Sequence, residues 1–328
     1  MSPEVSMREA YGKTLVELGK ENRDIVVLDA DLCRSTMTQF FASEFPDRFF
    51  DCGIAEQNMV GIAAGLAASG KVPFANTFAV FIPGRCFDQV RMSIAQPKLN
   101  VKLVGTHGGI SVGEDGTSHQ AIEDLALICS LPGFTVVVPA DAIEAAQAVR
   151  VAATSYGPFY IRLCRPKTPL VYNRNHRFKL GKAVTMRRGT NATVIAIGLM
   201  VTEALKAAEN LRREGIDCRV LNMPTLKPID EAALIKAAAE TGAIVTAEEH
   251  LEHGGLGSAV ARVVARHQPV PMEFVAIKDT YAKSGKFAEL LQRYGLVAKD
   301  IERAVRRVVK RGGAGGGTRT HKDCSGGF

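Results

Sequence analysis

The chain has 328 residues, of which 46% are hydrophobic and 23% are charged, which is sufficient for two domains with separate cores and excludes a disordered polymer. The seven cysteines are scattered and include no Cys-x-x-Cys pair, which excludes a disulfide framework and a zinc site of that type. Because the sequence has no apolar run of about 18 residues and no signal-peptide pattern, we expect a cytoplasmic protein with no membrane partner.

The net charge of +7 is concentrated at the C-terminus. The segment 299–328 has eight Lys or Arg and three acidic residues, a net of +5 that leaves +2 for the rest of the chain. Proteins that bind single-stranded nucleic acid interleave basic and aromatic residues, and this sequence does not, so we expect no nucleic acid partner. The segment 312–328 is Gly-rich and has no apolar periodicity, which predicts a basic, disordered tail.

Apolar β-branched runs alternate with helical patterns along the chain, which is typical of parallel α/β layers. In the first half, capping boxes predict helix starts at Ser6 and Asp141, an apolar helix is predicted over 59–68, and the predicted strands are 25–28, 101–104, 135–138 and 159–163. In the second half, the predicted strands are 193–197, 218–221, 243–246 and 273–277, and the main predicted helices are 201–213, 230–240 and 256–267.

The stretch 165–188 contains two prolines and many charged residues and has no clear period, and the linker is predicted within it, at 171–188. The sequence therefore predicts an α/β fold of two doubly wound, mostly parallel-sheet domains, at 1–170 and 189–311, with the tail after them.

Three short motifs resemble ligand sites, and two of them lack the context that such sites need. The segment 65–72 has the spacing of a phosphate loop but ends in Val72 where magnesium binding needs Ser or Thr. His250 and His253 have the spacing of a metal pair, but the glycines after them predict a loop, so no metal site is predicted. The Gly-rich helix start at 254–258 is retained as a candidate anion site.

Three segments of the first predicted domain carry polar or aromatic residues in unusual settings. Glu56 comes just before the small apolar helix, where the helix dipole alone also explains a first-turn acid. Phe78 and Phe81 lie three apart in a chain with only 6% aromatic residues, although core packing accounts for such a pair. The Gly-rich loop 106–120 holds two of the seven histidines and follows a predicted strand, at the edge where open α/β sheets bind ligands.

These segments resemble the transketolase family of thiamine diphosphate enzymes. The resemblance rests on four segments in the family's order and spacing: Asp31-Leu32-x-x-Ser35, Gly53-Ile-Ala-Glu56-Gln-Asn, Thr77-Phe78-x-x-Phe81 and, above all, Val112-Gly-Glu-Asp-Gly-Thr-Ser-His119-Gln120. It extends over about residues 5–310, which correspond to the family's pyrimidine-binding and C-terminal domains. Because nothing in the chain resembles the diphosphate-binding domain, the chain is similar to the C-terminal subunit of a split transketolase.

The resemblance implies that the chain binds the pyrimidine half of thiamine diphosphate. Glu56 would hydrogen-bond the pyrimidine N1′ as a catalytic acid, and Phe78 and Phe81 would stack on the aminopyrimidine ring. Asp31 and Leu32 are further expected cofactor contacts. The ligands of Mg²⁺ are expected on the partner subunit. Pro83-Gly84-Arg85 stands where many family members carry a third aromatic residue.

The resemblance also implies a substrate site on the Gly-rich loop and beyond it. His107 and His119 would face the substrate oxygens and take part in proton transfer, and Asp115 would accept a hydrogen bond from a substrate hydroxyl. The sugar phosphate would be bound by arginine, since guanidinium suits bidentate phosphate recognition. The candidates are Arg165, with Arg162 ranked second because adjacent strand residues point to opposite faces, and the outer partners Arg8 and Ser35.

The implied activity is transfer of a two-carbon glycolaldehyde unit from a ketose phosphate to an aldose phosphate, in a heterotetramer with an N-terminal partner subunit. Three alternatives remain open: a 1-deoxyxylulose 5-phosphate synthase-like chain, the β subunit of a 2-oxo acid dehydrogenase and a non-catalytic partner subunit. The loop motif and Arg165 favour sugar phosphates over a 2-oxo acid. Retention of Glu56 with both loop histidines argues against a subunit that has lost catalysis.

Overall fold

The computed structural model describes residues 3–313, and its first half contributes six strands to a seven-stranded sheet. The elements are β1 (Glu4–Ser6), α1 (Met7–Glu21), β2 (Ile25–Asp29), α2 (Cys33–Thr36), α3 (Gln39–Glu44), β3 (Phe49–Asp51), α4 (Glu56–Ala68), β4 (Val72–Phe78), α5 (Phe81–Gln89), β5 (Lys102–Thr106), α6 (Asp124–Cys129), β6 (Thr135–Val137), α7 (Ala142–Thr154), β7 (Phe159–Arg162) and β8 (Lys167–Pro169). Strands β1 and β8 form a separate antiparallel pair.

The second half forms a five-stranded sheet in the order β14-β13-β10-β11-β9. Its elements are β9 (Val184–Arg187), β10 (Ala192–Ala196), α8 (Met200–Arg212), β11 (Cys218–Asn222), β12 (Thr225–Lys227), α9 (Glu231–Thr241), β13 (Ile244–Leu251), α10 (Leu256–His267), β14 (Met272–Ile277), α11 (Phe287–Arg293) and α12 (Ala298–Gly313). The first sheet has the order β12-β6-β7-β5-β4-β2-β3, so β12 of the second half completes it.

Helices cover both faces of each sheet, as a doubly wound fold requires. In the first sheet, Val27 and Phe74 pack on the side of α1 and α7, whereas Val26 and Ala75 pack on the side of α4 and α5. In the second sheet, α8 and α12 lie on one face and α9 and α10 on the other. Only β9 and β12 run antiparallel to their neighbours within these two sheets. The predicted fold class is confirmed.

Several predicted boundaries differ from those in the structure. Strand β9 lies inside the predicted linker 171–188 and pairs with β11 as an edge strand. The helix predicted over 59–68 begins three residues earlier, at Glu56. Gly312 and Gly313 belong to the end of α12 instead of the predicted tail, and residues 314–328 of that tail lie outside the described part of the chain.

The structure around β13 contradicts two predictions about the motifs of the second domain. His250 lies on β13 and is fully buried, not in a loop. The neighbouring carboxylate of Glu248 accepts hydrogen bonds from the amides of Leu256 (2.6 Å) and Gly257 (2.7 Å) at the start of α10. The prediction that the segment 254–258 offers free amides to an external anion is therefore wrong, because an internal carboxylate already uses them.

A buried polar interface joins the two domains. Asn222 of β11 donates to both carboxylate oxygens of Glu144 on α7, at 3.0 and 2.9 Å. Arg162 of β7 pairs with Asp124 at 2.9 Å and donates to the carbonyl oxygen of Glu249 on β13 at 3.0 Å. Because buried polar groups keep their partners, these contacts hold the second sheet at a fixed position beside the first. Across residues 3–313, no helix combines the length and the hydrophobicity needed to cross a membrane.

Candidate active site

The predicted site residues lie on segments that leave one edge of the first sheet. Strands β2, β3, β4, β5 and β7 are parallel, so their carboxyl ends meet there. Ser35 follows β2, Phe78 ends β4, and the loop 107–120 follows β5. Arg165 follows β7, and Glu56 begins the helix after β3. This topology gathers residues that are more than 100 positions apart in the sequence.

Four aromatic rings meet at the centre of this edge. The rings of Phe78 and His107 stack with their centroids 3.8 Å apart, and those of Phe78 and Phe81 stack at 5.8 Å. His119 lies edge-on to both phenylalanines, at 5.9 Å from Phe78 and 5.5 Å from Phe81. Such offset and edge-to-face pairs are favourable arrangements. The two loop histidines and the two phenylalanines predicted from separate motifs therefore form one cluster.

His107 is held in an unusual backbone conformation and a dry environment. Its φ of 61° lies in the left-handed region, which is uncommon for residues other than glycine, although His adopts it more often than most. Burial, assisted by the positive charges of Arg8 and Arg165 and by His119, lowers the pKa of His107 to about 2. The imidazole is therefore neutral at working pH, so it serves as a hydrogen-bonding group and not as a cation.

His119 differs from His107 in its exposure. Its ring is only half-buried, and Nδ1 lies 2.9 Å from Oγ of Ser118. The corresponding nitrogen of His107 lies 2.9 Å from Oγ1 of Thr106. His107 is thus buried and His119 is partly exposed to solvent, which suits the two histidines to different roles.

Glu56 is buried at the first position of α4, with 4% of its surface exposed. Nη1 of Arg85 lies 2.5 Å from its Oε1, and the guanidinium carbon of Arg85 lies 3.8 Å from the centroid of the Phe81 ring. Nearly half of the Arg85 side chain is exposed. A planar cation thus stacks on an aromatic face and hydrogen-bonds a carboxylate at the same time, which are the two contacts expected for an aminopyrimidine ring.

The sequence did not identify Arg85 as a functional residue. In the sequence, the segment Pro83-Gly84-Arg85 is notable only because it replaces an expected aromatic residue. The pairing of Arg85 with Glu56 depends on how α5 packs against α4, which no local pattern reports. A lone arginine four residues after the second phenylalanine was the only available signal.

A second cluster, of arginines, lies beside the loop 107–120. Arg8 of α1 donates to the carbonyl oxygens of Ser35 at 2.6 Å and of Arg165 at 3.0 Å. It therefore connects α1 with the segments that follow β2 and β7. Arg165 donates to the carbonyl oxygen of Val112, and its Nη1 lies 4.0 Å from Oδ2 of Asp115. The structure therefore brings together the residues predicted to bind a sugar phosphate, although Ser35 contacts Arg8 through its backbone.

The arginines line a cavity of about 550 Å³. Four basic residues and two glutamates are among the lining residues: Arg8, Arg165, Lys167, Lys286, Glu4 and Glu114. Neither lysine forms an ion pair with any acidic group in the described part of the chain. The cavity thus has an excess of positive charge and favours an anion.

Arg162 is excluded from this cavity. Its side chain is buried and donates through Nε to Asp124 and through Nη2 to the carbonyl oxygens of Ala121 and Glu249. Arg162, the last residue of β7, is therefore a structural arginine, whereas Arg165, three residues beyond the strand, is partly open to solvent.

Asp31 and Leu32 lie at the same sheet edge but apart from the aromatic cluster. Their amides donate to Asp51 at 3.0 Å and to Asp29 at 2.7 Å. Within residues 3–313, no hydrogen bond links either residue to Glu56 or to the phenylalanines. Asp29 is buried, which raises its pKa to about 6, and it also accepts hydrogen bonds from the Thr36 and Thr38 hydroxyls. It therefore fixes the turn that carries Asp31, Leu32 and Ser35.

Comparison with known proteins identifies the family of this chain. Residues 3–170 match the family profile described as the pyrimidine binding domain of transketolase, and residues 181–301 match the transketolase C-terminal domain. The chain belongs to the transketolase family. A pyrimidine-binding domain of this family implies binding of thiamine diphosphate, and the buried Glu56 carboxyl group beside the Phe81 face offers the hydrogen-bonding partner and the apolar surface that an aminopyrimidine ring needs.

Relatives of similar length are described as a section or a subunit of a transketolase. The chain is 44% identical over 308 residues to a putative transketolase C-terminal section of Methanocaldococcus jannaschii, which covers 93% of this chain and 96% of that protein. It is 42% identical over 305 residues to a 6-deoxy-6-sulfo-D-fructose transketolase subunit of a Clostridium species, with 93% and 95% covered. A solved structure described as a split gene transketolase, an inactive β4 tetramer, superimposes with a TM-score of 0.88 at 51% identity and covers 93% of this chain and 99% of that one.

This transketolase-family chain is thus a homologue of C-terminal sections. Its family membership confirms the resemblance that the four sequence motifs carried. Within residues 3–313, no group of three or more His, Cys, Asp or Glu side chains is arranged to hold a metal ion.

Proposed function

We propose that the chain is the C-terminal subunit of a split transketolase and that it transfers a two-carbon glycolaldehyde unit between sugar phosphates, together with an N-terminal subunit. The observation that carries this proposal is the position of three predicted groups along one sheet edge: a buried carboxylate, an aromatic cluster with two histidines, and a basic cavity. The required cofactor is thiamine diphosphate, which supplies the nucleophilic carbon that cleaves the ketose carbon–carbon bond. We propose that its magnesium ion is bound by the partner subunit.

Glu56 is the residue proposed to hold a proton at the pyrimidine N1′. Its buried position limits the access of water to that bond, which suits the carboxyl group to share its proton with the ring nitrogen. Phe81, with Phe78 stacked beside it, provides an apolar face that orients the ring. Asp31 and Leu32 are proposed as outer contacts, because the turn that carries them is fixed at the same edge by Asp29.

The two histidines have distinct proposed roles. His119 is half-buried at the opening, so it is proposed to move protons between substrate oxygens and the site. His107 is neutral, so it is proposed to orient a substrate oxygen through a hydrogen bond. Asp115, on the same loop, is proposed to accept a bond from a substrate hydroxyl. It lies close enough to Arg165 to place that hydroxyl near the anion-binding cavity.

The anionic group of the substrate is proposed to bind in the cavity between Arg8 and Arg165. Four basic side chains against two glutamates suit a phosphate dianion, which attracts more positive charge than a sulfonate monoanion. Guanidinium forks also match the geometry of phosphate oxygens. Sugar phosphates are therefore proposed as donor and acceptor, in contrast to the sulfonated sugar in the name of the Clostridium relative.

A partner subunit is proposed to cover the surface around Glu56. Ile54 is 77% exposed, and Ile62 is also exposed, on the same side of α4 as Gly61 and Gly65. A side chain added at either glycine would meet open space. An apolar surface of small residues next to a half-formed site is suited to close approach by another chain. We propose an assembly with two copies of each subunit, and that the chain alone is inactive, as the name of the β4 relative says of that protein.

Cofactor binding tests this proposal before any assay of turnover. Titration of thiamine diphosphate and Mg²⁺ into the purified chain, measured by calorimetry, is expected to give no saturable heat, because the diphosphate contacts are absent. The same titration into a mixture with the N-terminal subunit is expected to give saturable binding. Strong binding by the chain alone would contradict the proposed division of the site.

Arg85→Ala is expected to tighten cofactor binding in that mixture. In the free chain the guanidinium is bonded to Glu56 and stacked on Phe81, so it must leave before a pyrimidine ring makes the same contacts. Removing a competitor raises the binding-competent fraction, and we expect a Kd lower by about three- to tenfold. Arg91→Ala, at an exposed position paired loosely with Asp88, is the matched control. An unchanged or weaker Kd in Arg85→Ala would show that Arg85 does not compete.

A further inference from the structure

The loop that carries both site histidines is anchored by the second domain as well as by the first. Glu249 of β13 accepts a hydrogen bond from the backbone amide of Ser111 at 2.5 Å and from its hydroxyl at 3.2 Å. Ser111 lies four residues after His107. One buried carboxylate of the second domain thus holds the first half of the loop at two points.

The fit between this carboxylate and the loop is close. Gly109 has a φ of 82°, and a Cβ built on it would lie 2.1 Å from the carboxyl carbon of Glu249. A Cβ on Gly108 would lie 2.5 Å from Nε of Arg162. The backbone after His107 is therefore confined between Arg162 of the first domain and Glu249 of the second, and only glycine fits.

The second half of the loop is also held by the second domain. Thr117 donates to the carbonyl oxygen of Ala282 at 2.5 Å, and Gln120 donates through Nε2 to that of Lys283 at 3.1 Å. These two residues flank His119. Each histidine therefore lies next to a contact with the second domain.

Burial of Glu249 is unfavourable for the charged form of its carboxyl group. Burial raises its pKa to about 7, against the opposing effects of Arg162 and the Ser111 donors. A buried charged group is often no more stabilising than an apolar residue of similar size. Among residues 3–313, the carboxylate oxygens accept hydrogen bonds only from the loop, at Ser111 and at the backbone of Ile110. Loop placement therefore accounts for this residue better than stability does.

We infer that Glu249 is a positioning residue through which the C-terminal domain sets the loop 107–120 in its substrate-facing conformation. This inference rests on the proposed function for the role of the loop histidines. It assigns the C-terminal domain a part in the site without direct contact with substrate. Preorganised groups lose much of their effect when misplaced by about 1 Å, so the predicted consequence of losing the contact is a loss of turnover.

Glu249→Leu and Glu249→Gln distinguish positioning from packing. Leucine fills the space but accepts no hydrogen bond, whereas glutamine keeps an acceptor for the Ser111 amide and a donor for its hydroxyl. In the assembled complex, kcat/KM is expected to fall about 10- to 100-fold in Glu249→Leu and to stay within about threefold of wild type in Glu249→Gln. Hydrogen exchange of the chain, measured by mass spectrometry, is expected to accelerate at 107–120 in Glu249→Leu and to stay unchanged in Glu249→Gln.

Glu248→Leu is the matched control, because Glu248 is the adjacent buried glutamate and bonds to the start of α10 instead. It is expected to accelerate exchange at 254–258 and to leave exchange at 107–120 unchanged. If Glu249→Leu does not fold, Ser111→Ala, which deletes only the hydroxyl bond, is expected to accelerate loop exchange to a smaller extent.

Two results separate this inference from the proposed function. Unchanged loop exchange in folded Glu249→Leu and Ser111→Ala would overturn the inference, as would equal loop exchange in Glu249→Leu and Glu248→Leu. An inactive wild-type complex would instead reject the proposed function. Loop exchange needs no substrate, so it reports on the Glu249 contact in either case.

Discussion

Glu56→Gln is expected to lower kcat of the assembled complex about a thousandfold, in the range of losses seen when a positioned acid is removed. Glutamine occupies the same buried space and still forms a hydrogen bond, but it has no acidic proton to transfer to the pyrimidine N1′. We therefore expect the Kd for thiamine diphosphate to change less than about tenfold. Initial rates and calorimetry on the same preparation separate the two effects.

The matched control for this variant is Glu44→Gln, a change at a glutamate of α3 that is paired with Lys20 on the surface. It is expected to leave kcat and the Kd within about twofold of wild type. If Glu56→Gln retained more than about a tenth of the wild-type kcat, Glu56 would not be the acid of this site. A folded variant that has lost the cofactor altogether would also contradict the separation of binding from proton sharing.

Arg165→Ala is expected to raise KM for a phosphorylated ketose about 10- to 100-fold, the range expected for loss of a charged hydrogen bond. The unphosphorylated ketose erythrulose makes no such bond, so its kcat/KM is expected to change less than about threefold. Comparing the two donors therefore isolates the anion contact from any general damage. The measurement is a pair of saturation curves with the same acceptor.

Arg174→Ala, at an exposed position outside the cavity, is the control for loss of positive charge. It is expected to change neither donor's kcat/KM by more than about twofold. Equal losses with both donors in Arg165→Ala would contradict the phosphate role. In that case Arg165 would have a structural role, as the donor of a hydrogen bond to the Val112 carbonyl oxygen.

The main strands and helices could be predicted because they are marked by local patterns. Fully buried parallel strands such as β2 and β10 are continuous β-branched runs. Strand β9, in contrast, is a short edge strand with only partial burial, next to charged residues. Strand β12 leaves its own domain to pair with β6, and no pattern within three residues reports that partner.

The residues of the site could be placed together because parallel strands align their carboxyl ends. Motif resemblance supplied the proposed roles of Glu56, His107 and Arg165, and the structure brings their segments to one edge. Glu249 was not identified, because its effect depends on packing of one domain against the loop of the other. The neutral state of His107 was also beyond sequence reasoning, since it arises from burial and from two arginines distant in the chain.

The most direct test of the central claim is ketol transfer from xylulose 5-phosphate to ribose 5-phosphate, followed by a coupled assay with thiamine diphosphate and Mg²⁺. The assay is run on this chain alone, on the N-terminal transketolase subunit of the same source alone, and on their mixture. We predict turnover in the mixture and none in either subunit by itself. Turnover by this chain alone, or an inactive mixture in which the two subunits are bound and folded, would contradict the assignment of a split transketolase.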